Sequence, residues 1–363
     1  MEVRLVEPRV ENPVVSISLP TDERLREACN GIDPGGFHIR HPPAPHLLSS
    51  FITPDDQLFQ TIHMGAAVVD TSKWLLLIDG LVKRPFTLTL PQLLRLPQTT
   101  ITAFHECYGS PIKPPTDAVW RIGNVQWTGV RLSHLLNMAS PLPEARYVWS
   151  EGLDKGTFHG ITSDCYQKDL PLEKALRPEV LVAFELNGQP LSKERGGPVR
   201  LVVPGWFGTN MTKWLCRLSL QDWRASGPYT TIFYNELDPT DRAGKRKRPV
   251  WSVETNSMIV RPSPEAVLRG PDLTIEGWAW SEEPVTQVLL GTDHKASWVE
   301  AEVMPREDFS WQKWRIGLTL SPGDYTLMSR AKSASGVQQP LSGRRNHVHS
   351  LKIKVVEDVP GGS

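Results

Sequence analysis

The chain has 363 residues, enough for two or three domains with a sizeable core, and 40 Lys and Arg balance 40 Asp and Glu. A formal charge of zero lacks the electrostatic footprint that nucleic acid or an anionic membrane requires of a partner. Four widely spaced cysteines with no Cys-x-x-Cys pair argue against a zinc site or disulfide scaffold, and no apolar run reaches the roughly 18 residues of a spanning helix.

The first residues carry charges throughout and hold no apolar signal core, which predicts a soluble, cytoplasmic protein. Residues 1–45, polar and proline-rich without periodicity, predict an extended arm laid over the domain surface. Trp74–Gly80 reads as a buried strand ending in a turn, and Leu88–Leu90 precedes a short helix ending near Leu96-Pro97. Thr100–Phe104 is an apolar strand-like run, and Val130–Leu136 predicts an amphipathic helix. Arg146–Ser150 and Val180–Phe184 read as strands, with Asn187-Gly188 as a hairpin turn and Val199–Gly205 as a strand with a hard stop. Short strands and short helices in irregular alternation predict an α+β domain over 46–245, not a doubly wound sheet. Residues 241–249 read as a charged, flexible boundary, with the Lys245–Arg248 run a solvated linker. Short strands separated by Gly, Pro, Asp and Ser turns then predict a β-sandwich over 250–358.

Phe104–Trp127 is the most informative stretch. It places Cys107 in a Gly-Ser-Pro turn directly after the Thr100–Phe104 strand. A soft sulfur held at a strand end suits a soft or high-valent metal, although a lone cysteine is also an ordinary small hydrophobe. The rest of the chain bears on that choice. Glu106–Ser110, Gly123–Val130, Asp169–Ala175, Asn187–Leu191, Gly197–Trp206 and Lys213–Leu215 follow in an order and at separations that resemble the sulfite oxidase family of molybdenum-cofactor enzymes. The likeness runs from about His46 to Val356. Its C-terminal part, carried by Gly277–Ser281 and Phe309–Trp314 with Asn346 and His349, is similar to the family's immunoglobulin-like dimerisation domain.

The resemblance implies a molybdopterin-binding domain followed by that sandwich as a homodimerisation module, with no fused haem domain. It implies that Cys107 is the thiolate on molybdenum and that His63 contacts the pterin. Arg200 and Lys213 match basic positions that hold the cofactor's phosphate or pterin, a role suited to fixed cationic donors. Tyr234 falls where the family keeps an active-site tyrosine; Tyr229 is the same residue type five positions earlier.

Departures from the family pattern concern the substrate side. Thr61 stands where sulfite-oxidising members have an arginine, and Pro111 and Ile112 stand where another is expected. Arg195 replaces a histidine and can still reach the cofactor phosphate. Losing two pocket charges weakens binding of a small dianion, so the expected substrate is a larger, less charged sulfur or nitrogen compound. Lys113 or Arg121 restores part of the charge, or both are solvated; Tyr108, after the metal cysteine, narrows the pocket or stacks on an organic substrate. Asp33-Pro34-Gly35-Gly36 resembles a cytochrome b5 haem motif without its histidine and reads as a turn. The expectation is therefore an oxygen-atom-transfer oxidoreductase using molybdenum-molybdopterin, no haem, and a separate electron acceptor or donor. The alternatives are a reductase on the same fold and a non-catalytic cofactor-binding homodimer.

Overall fold

A computed structural model describes residues 19–110, 120–238, 240–241, 243–292 and 297–357. The fold is α+β, with an immunoglobulin-like sandwich at its C-terminal end. Two five-stranded sheets build the first domain. One is ordered Gln167–Pro171, Tyr147–Gly152, Leu215–Gln221, Leu75–Gly80, Phe86–Thr89, with Leu215–Gln221 and Leu75–Gly80 parallel. The other is antiparallel, ordered Gln189–Pro190, Leu181–Leu186, Ile122–Arg131, Gln98–Glu106, with Arg200–Val202 also paired to Leu181–Leu186. Trp74, Leu76, Ile78, Val182, Leu201 and Leu218 share the main core. Helix Leu132–Ala139 joins it through Leu132, Leu135, Leu136 and Ala139, the spacing of one helical face.

Local signals explain several elements. Thr89 and Gln92 form a capping box that starts helix Leu90–Leu94. Asn187 and Gly188 both take positive φ, as the two-residue hairpin they close requires. Elsewhere tertiary pairing overrides the local pattern. The helix expected from Val130 begins only at Leu132, because Val130 and Arg131 pair with Val182 and Leu181. The 241–249 boundary carries a strand, Lys247–Pro249, paired with Asn235–Leu237, and Asp241 accepts from the amides of Lys245 and Arg246. The expected N-terminal arm, of which residues 1–18 lie outside the described residues, is not patternless from residue 22 onward. It holds helix Asp22–Arg26 and strand Cys29–Gly35, which pairs with Gly65–Val69.

The C-terminal strands form one curled eight-stranded sheet around Ile259, Ile275, Val288, Trp314, Leu327 and Ile353. Asp272–Trp280 alternates between exposed and buried residues at its start and is buried on both faces from Gly277 onward, where it meets the first domain. Three of its tryptophan neighbourhood are interface residues. Trp278, Trp280 and Trp311 pack with Phe104, Trp120 and Phe207, whereas Trp314 belongs to the sandwich core. Trp278 Nε1 donates to the Leu48 carbonyl at 2.6 Å and Trp311 Nε1 to that of Phe51 at 3.0 Å. Phe309 exchanges backbone bonds with Thr102 and Phe104 at 3.0 and 2.9 Å. The Gln98–Glu106 strand is thus gripped from the second domain. Among the described residues no helix is long and apolar enough to cross a membrane.

Candidate functional site

Cys107 follows the last residue of the Gln98–Glu106 strand, and its turn is closed by hydrogen bonds. Its amide donates to the Arg121 carbonyl (2.9 Å), and the Ser110 amide donates to the Cys107 carbonyl (3.0 Å). The Gly109 amide points at Sγ (3.4 Å), and Thr61 Oγ1 lies 3.7 Å from it. The half-buried thiol lines a cleft with about 680 Å³ of empty space, together with His63, Tyr108, Arg195, Arg200, Lys213 and Tyr234. The fold thus brings these sequence-predicted residues into one place from six separate segments. Lys113 lies outside the described residues.

The floor of the cleft is cationic and buried. Arg200 donates to the carbonyls of Arg195 (3.0 Å) and Met211 (3.3 Å), stacks over Trp127, and leaves Nε without a partner among the described residues. Burial, then Arg195, pulls its titration down to about 9. Lys213 donates to the Thr61 carbonyl at 2.8 Å, and burial followed by Arg200 pulls it below the usual lysine range. Gly196 takes φ +90° against the Lys213 stem; a Cβ there would come within 2.4 Å of it. Arg195 behaves differently. Its nitrogens donate to Asp55 Oδ1 (2.6 Å) and to the carbonyls of Phe59, Asp55 and Leu58 (2.7, 2.7 and 3.0 Å). Most of its donors are engaged by the 55–59 loop, although the side chain also lines the cleft.

The mouth is aromatic. Tyr234 sits at φ +58°, a strained region for a tyrosine, and is held there by the Val250 amide on its carbonyl (2.9 Å). Its hydroxyl hydrogen-bonds His63 Nε2. Burial first, then Cys107 and Tyr229, pushes the Tyr234 phenol far above its usual range, so it remains a donor. Burial, with Lys213 and His159, pulls His63 down to about 3 and keeps it neutral. The His63 ring packs against Phe158, Tyr166, Tyr229 and Tyr234 at 4.8–5.8 Å. Tyr108 meets Tyr234 at 6.1 Å and Phe207 at 5.3 Å, edge-on to both.

Three residues escaped the sequence reading. His105 lines the floor, stacks on Phe59 at 5.1 Å, and leaves Nδ1 unpartnered among the described residues. Its signal was present: two residues before Cys107 in a strand, it shares that residue's face. Asp154 and Tyr166 line the cleft without any local motif. Arg121, for which restoring pocket charge and lying in solvent were both open, packs over Gly109, with its Nε buried.

These residues fit a phosphate-bearing pterin cofactor. Arg200, buried, and Lys213, half-buried, are cations short of acceptors, the condition a bound dianion relieves. Among the described residues no three His, Cys, Asp or Glu side chains converge on one point, so the protein by itself does not complete a metal's ligand set, and a metal beside Cys107 would take further ligands from the cofactor.

Comparison with known proteins gives the same direction. Residues 63–229 match the oxidoreductase molybdopterin binding domain. The mitochondrial sulfite oxidase of Drosophila melanogaster is 29% identical over 87% of this chain, which spans 61% of that protein. The NADPH nitrate reductase of Aspergillus niger is 26% identical over 82% of this chain and 37% of its own length. The sulfane dehydrogenase SoxCD from Paracoccus pantotrophus superposes with a TM-score of 0.77 at 28% identity, covering 97% of this chain and 93% of that one.

Proposed function

We propose that the chain, similar to sulfite oxidases and carrying a molybdopterin-binding oxidoreductase domain, is an enzyme of that family holding molybdenum-molybdopterin in the cleft. Its substrate is a sulfur or nitrogen compound larger and less charged than sulfite. The observation that carries this reading is one cleft in which Cys107 faces a floor of under-satisfied cations, Arg200 and Lys213. When bound, the cofactor supplies two-electron oxygen-atom transfer, with water as the oxygen's source or sink. Cys107 holds the metal, Arg200 and Lys213 hold the phosphate end, and neutral His63 packs against the pterin.

The substrate side supports a change from sulfite. Thr61, Tyr108 and Tyr234 approach the thiol, and the lining guanidiniums, Arg195 and Arg200, belong to the floor. A phenol that stays protonated donates one hydrogen bond to a substrate oxygen, whereas a small dianion wants a bidentate arginine clamp. Electrons pass to or from a separate partner, and the sandwich serves as a homodimer contact. Similarity to a nitrate reductase favours, as a second reading, the same chemistry run as a reduction.

The test is molybdenum content by mass spectrometry on protein from a cofactor-competent host, followed by turnover of sulfite and of organic sulfoxides with artificial redox dyes. About one metal per chain and poor sulfite turnover are expected. Protein without molybdenum from a verified host overturns the enzyme reading. Sulfite turnover at high affinity overturns the substrate reading alone.

A further inference from the structure

The period of two in the Gln98–Glu106 strand sends neighbouring residues opposite ways. His105 and Cys107 line the cleft, while Glu106, fully buried, faces the C-terminal sandwich. There Trp280 Nε1 donates to Glu106 Oε2 at 2.7 Å, and Arg345 lies 3.5 Å from Glu106 Oε1. The same guanidinium donates to the Ser110 carbonyl at 2.9 Å and pairs with Glu254. It also lies over the rings of Tyr108 and Phe207, at 5.0 and 4.4 Å from their centroids, where those two rings meet edge-on. Two residues of the second domain therefore hold both the residue before Cys107 and the residue that closes its turn. Fixing both ends of so short a segment removes most of its alternative conformations.

Arg345 is not a free cation for a substrate, since Glu106 and Glu254 both face it. We propose that Arg345, assisted by Trp280, is a positioning residue for Cys107. By this arrangement the C-terminal sandwich presets the thiol toward the cleft, and cofactor retention is coupled to the docking of that domain. The coupling rests on the reading of Cys107 as the metal's thiolate. The preset geometry of the turn does not. Because coupling is reciprocal, a loaded cofactor also tightens the contact between the domains.

The test uses the full chain and two readouts. In cofactor-free protein, iodoacetamide labelling of each cysteine is followed by peptide mass spectrometry, with buried Cys216 as the internal control for unfolding. Arg345→Met is expected to label Cys107 about tenfold faster while Cys216 stays protected, the scale of losing one charge-assisted hydrogen bond. Arg345→Lys, which keeps the charge but not the fork, falls between this variant and wild type. Trp280→Phe gives a smaller acceleration in the same direction and keeps the proposal testable where Arg345→Met does not fold. In loaded protein, the same variants lose molybdenum on gel filtration in the same order. Unchanged Cys107 labelling in the folded variants, or labelling of Cys216 in parallel with it, overturns the proposal. A wild type that takes up no molybdenum overturns the coupling to the cofactor, and the labelling ranks then decide whether Arg345 presets the turn.

Discussion

Arg200 and Lys213 on the floor of the cleft, the first buried and the second half-buried, are cations with few acceptors, whereas the mouth is lined by uncharged tyrosines, two of which have hydroxyl partners within the protein. Tyr234 bonds His63, and Tyr166 bonds the Thr209 carbonyl at 2.7 Å. The floor is electrostatically incomplete and the mouth is complete. An incomplete site states what it binds, because the missing partner must be an anion of matching shape. A complete, aromatic site states only that the ligand tolerates apolar walls. This difference explains why the floor points to an anionic ligand while the mouth leaves the substrate open.

The comparison breaks most visibly at Cys107. Cys107→Ser should lower molybdenum content by about tenfold or more while the pterin, held by the floor, is retained in part. Equal metal in the variant and wild type, by mass spectrometry, removes the thiolate from the site. Next comes a contrast inside the floor. Arg195→Met strips donors from three carbonyls and Asp55, and should lower stability by about 2 kcal/mol, allowing for the half-exposed Asp55. Lys213→Met removes a half-buried charge with one acceptor, so the empty protein should melt no lower while pterin retention falls. Thermal melts of both variants, with pterin content by fluorescence, separate the scaffold cation from the binding cation.

At the mouth the expected effect is smaller. Tyr234→Phe removes one hydroxyl from His63 and from any substrate oxygen, and should leave metal and pterin content unchanged while lowering turnover about tenfold. Loss of cofactor in this variant would move Tyr234 from the mouth to the floor.

Legibility in the sequence divides along the same line. The Cys107 turn, Arg200 and Lys213 were readable because each sits in a contiguous motif at a fixed offset from a strand end. Strand periodicity also contained His105. The Asn187-Gly188 turn and the alternating C-terminal strands were equally plain, since their signals are local. The role of Arg195 was not, because nothing nearby in sequence reveals that Asp55 and the 55–59 carbonyls consume its donors. The place of Arg121 stayed open in the sequence because its packing over Gly109 depends on how the turn closes. The mouth joins Tyr108, Tyr166, Tyr229 and Tyr234 across segments up to 126 residues apart, a juxtaposition created by the sheets alone. Trp278, Trp280 and Trp311 carry the strand pattern of a sandwich core and in fact cover the strand that leads to Cys107, because an interface core and a domain core have the same composition.

The weakest effect concerns pH, and it tests whether the floor is incomplete in the sense argued. Inorganic sulfate keeps its double charge across the neutral range, so any change in its affinity for cofactor-free protein reports the protein. Burial and Arg200 lower the titration of Lys213 from an ordinary 10.5, and burial raises that of Asp154 from an ordinary 3.8. A bound anion favours protonated Lys213 and neutral Asp154, so both groups take up protons on binding. Affinity is therefore highest below the lowered lysine titration. It falls as pH rises through that titration toward 10.5, by about severalfold per unit. Lys213→Met should weaken binding at low pH and flatten the profile, and Asp154→Asn should flatten it in part. Calorimetric titrations across that range decide the matter. A profile that is already flat in the wild type means that the floor is neutralised within the protein, and then floor and mouth do not differ in kind.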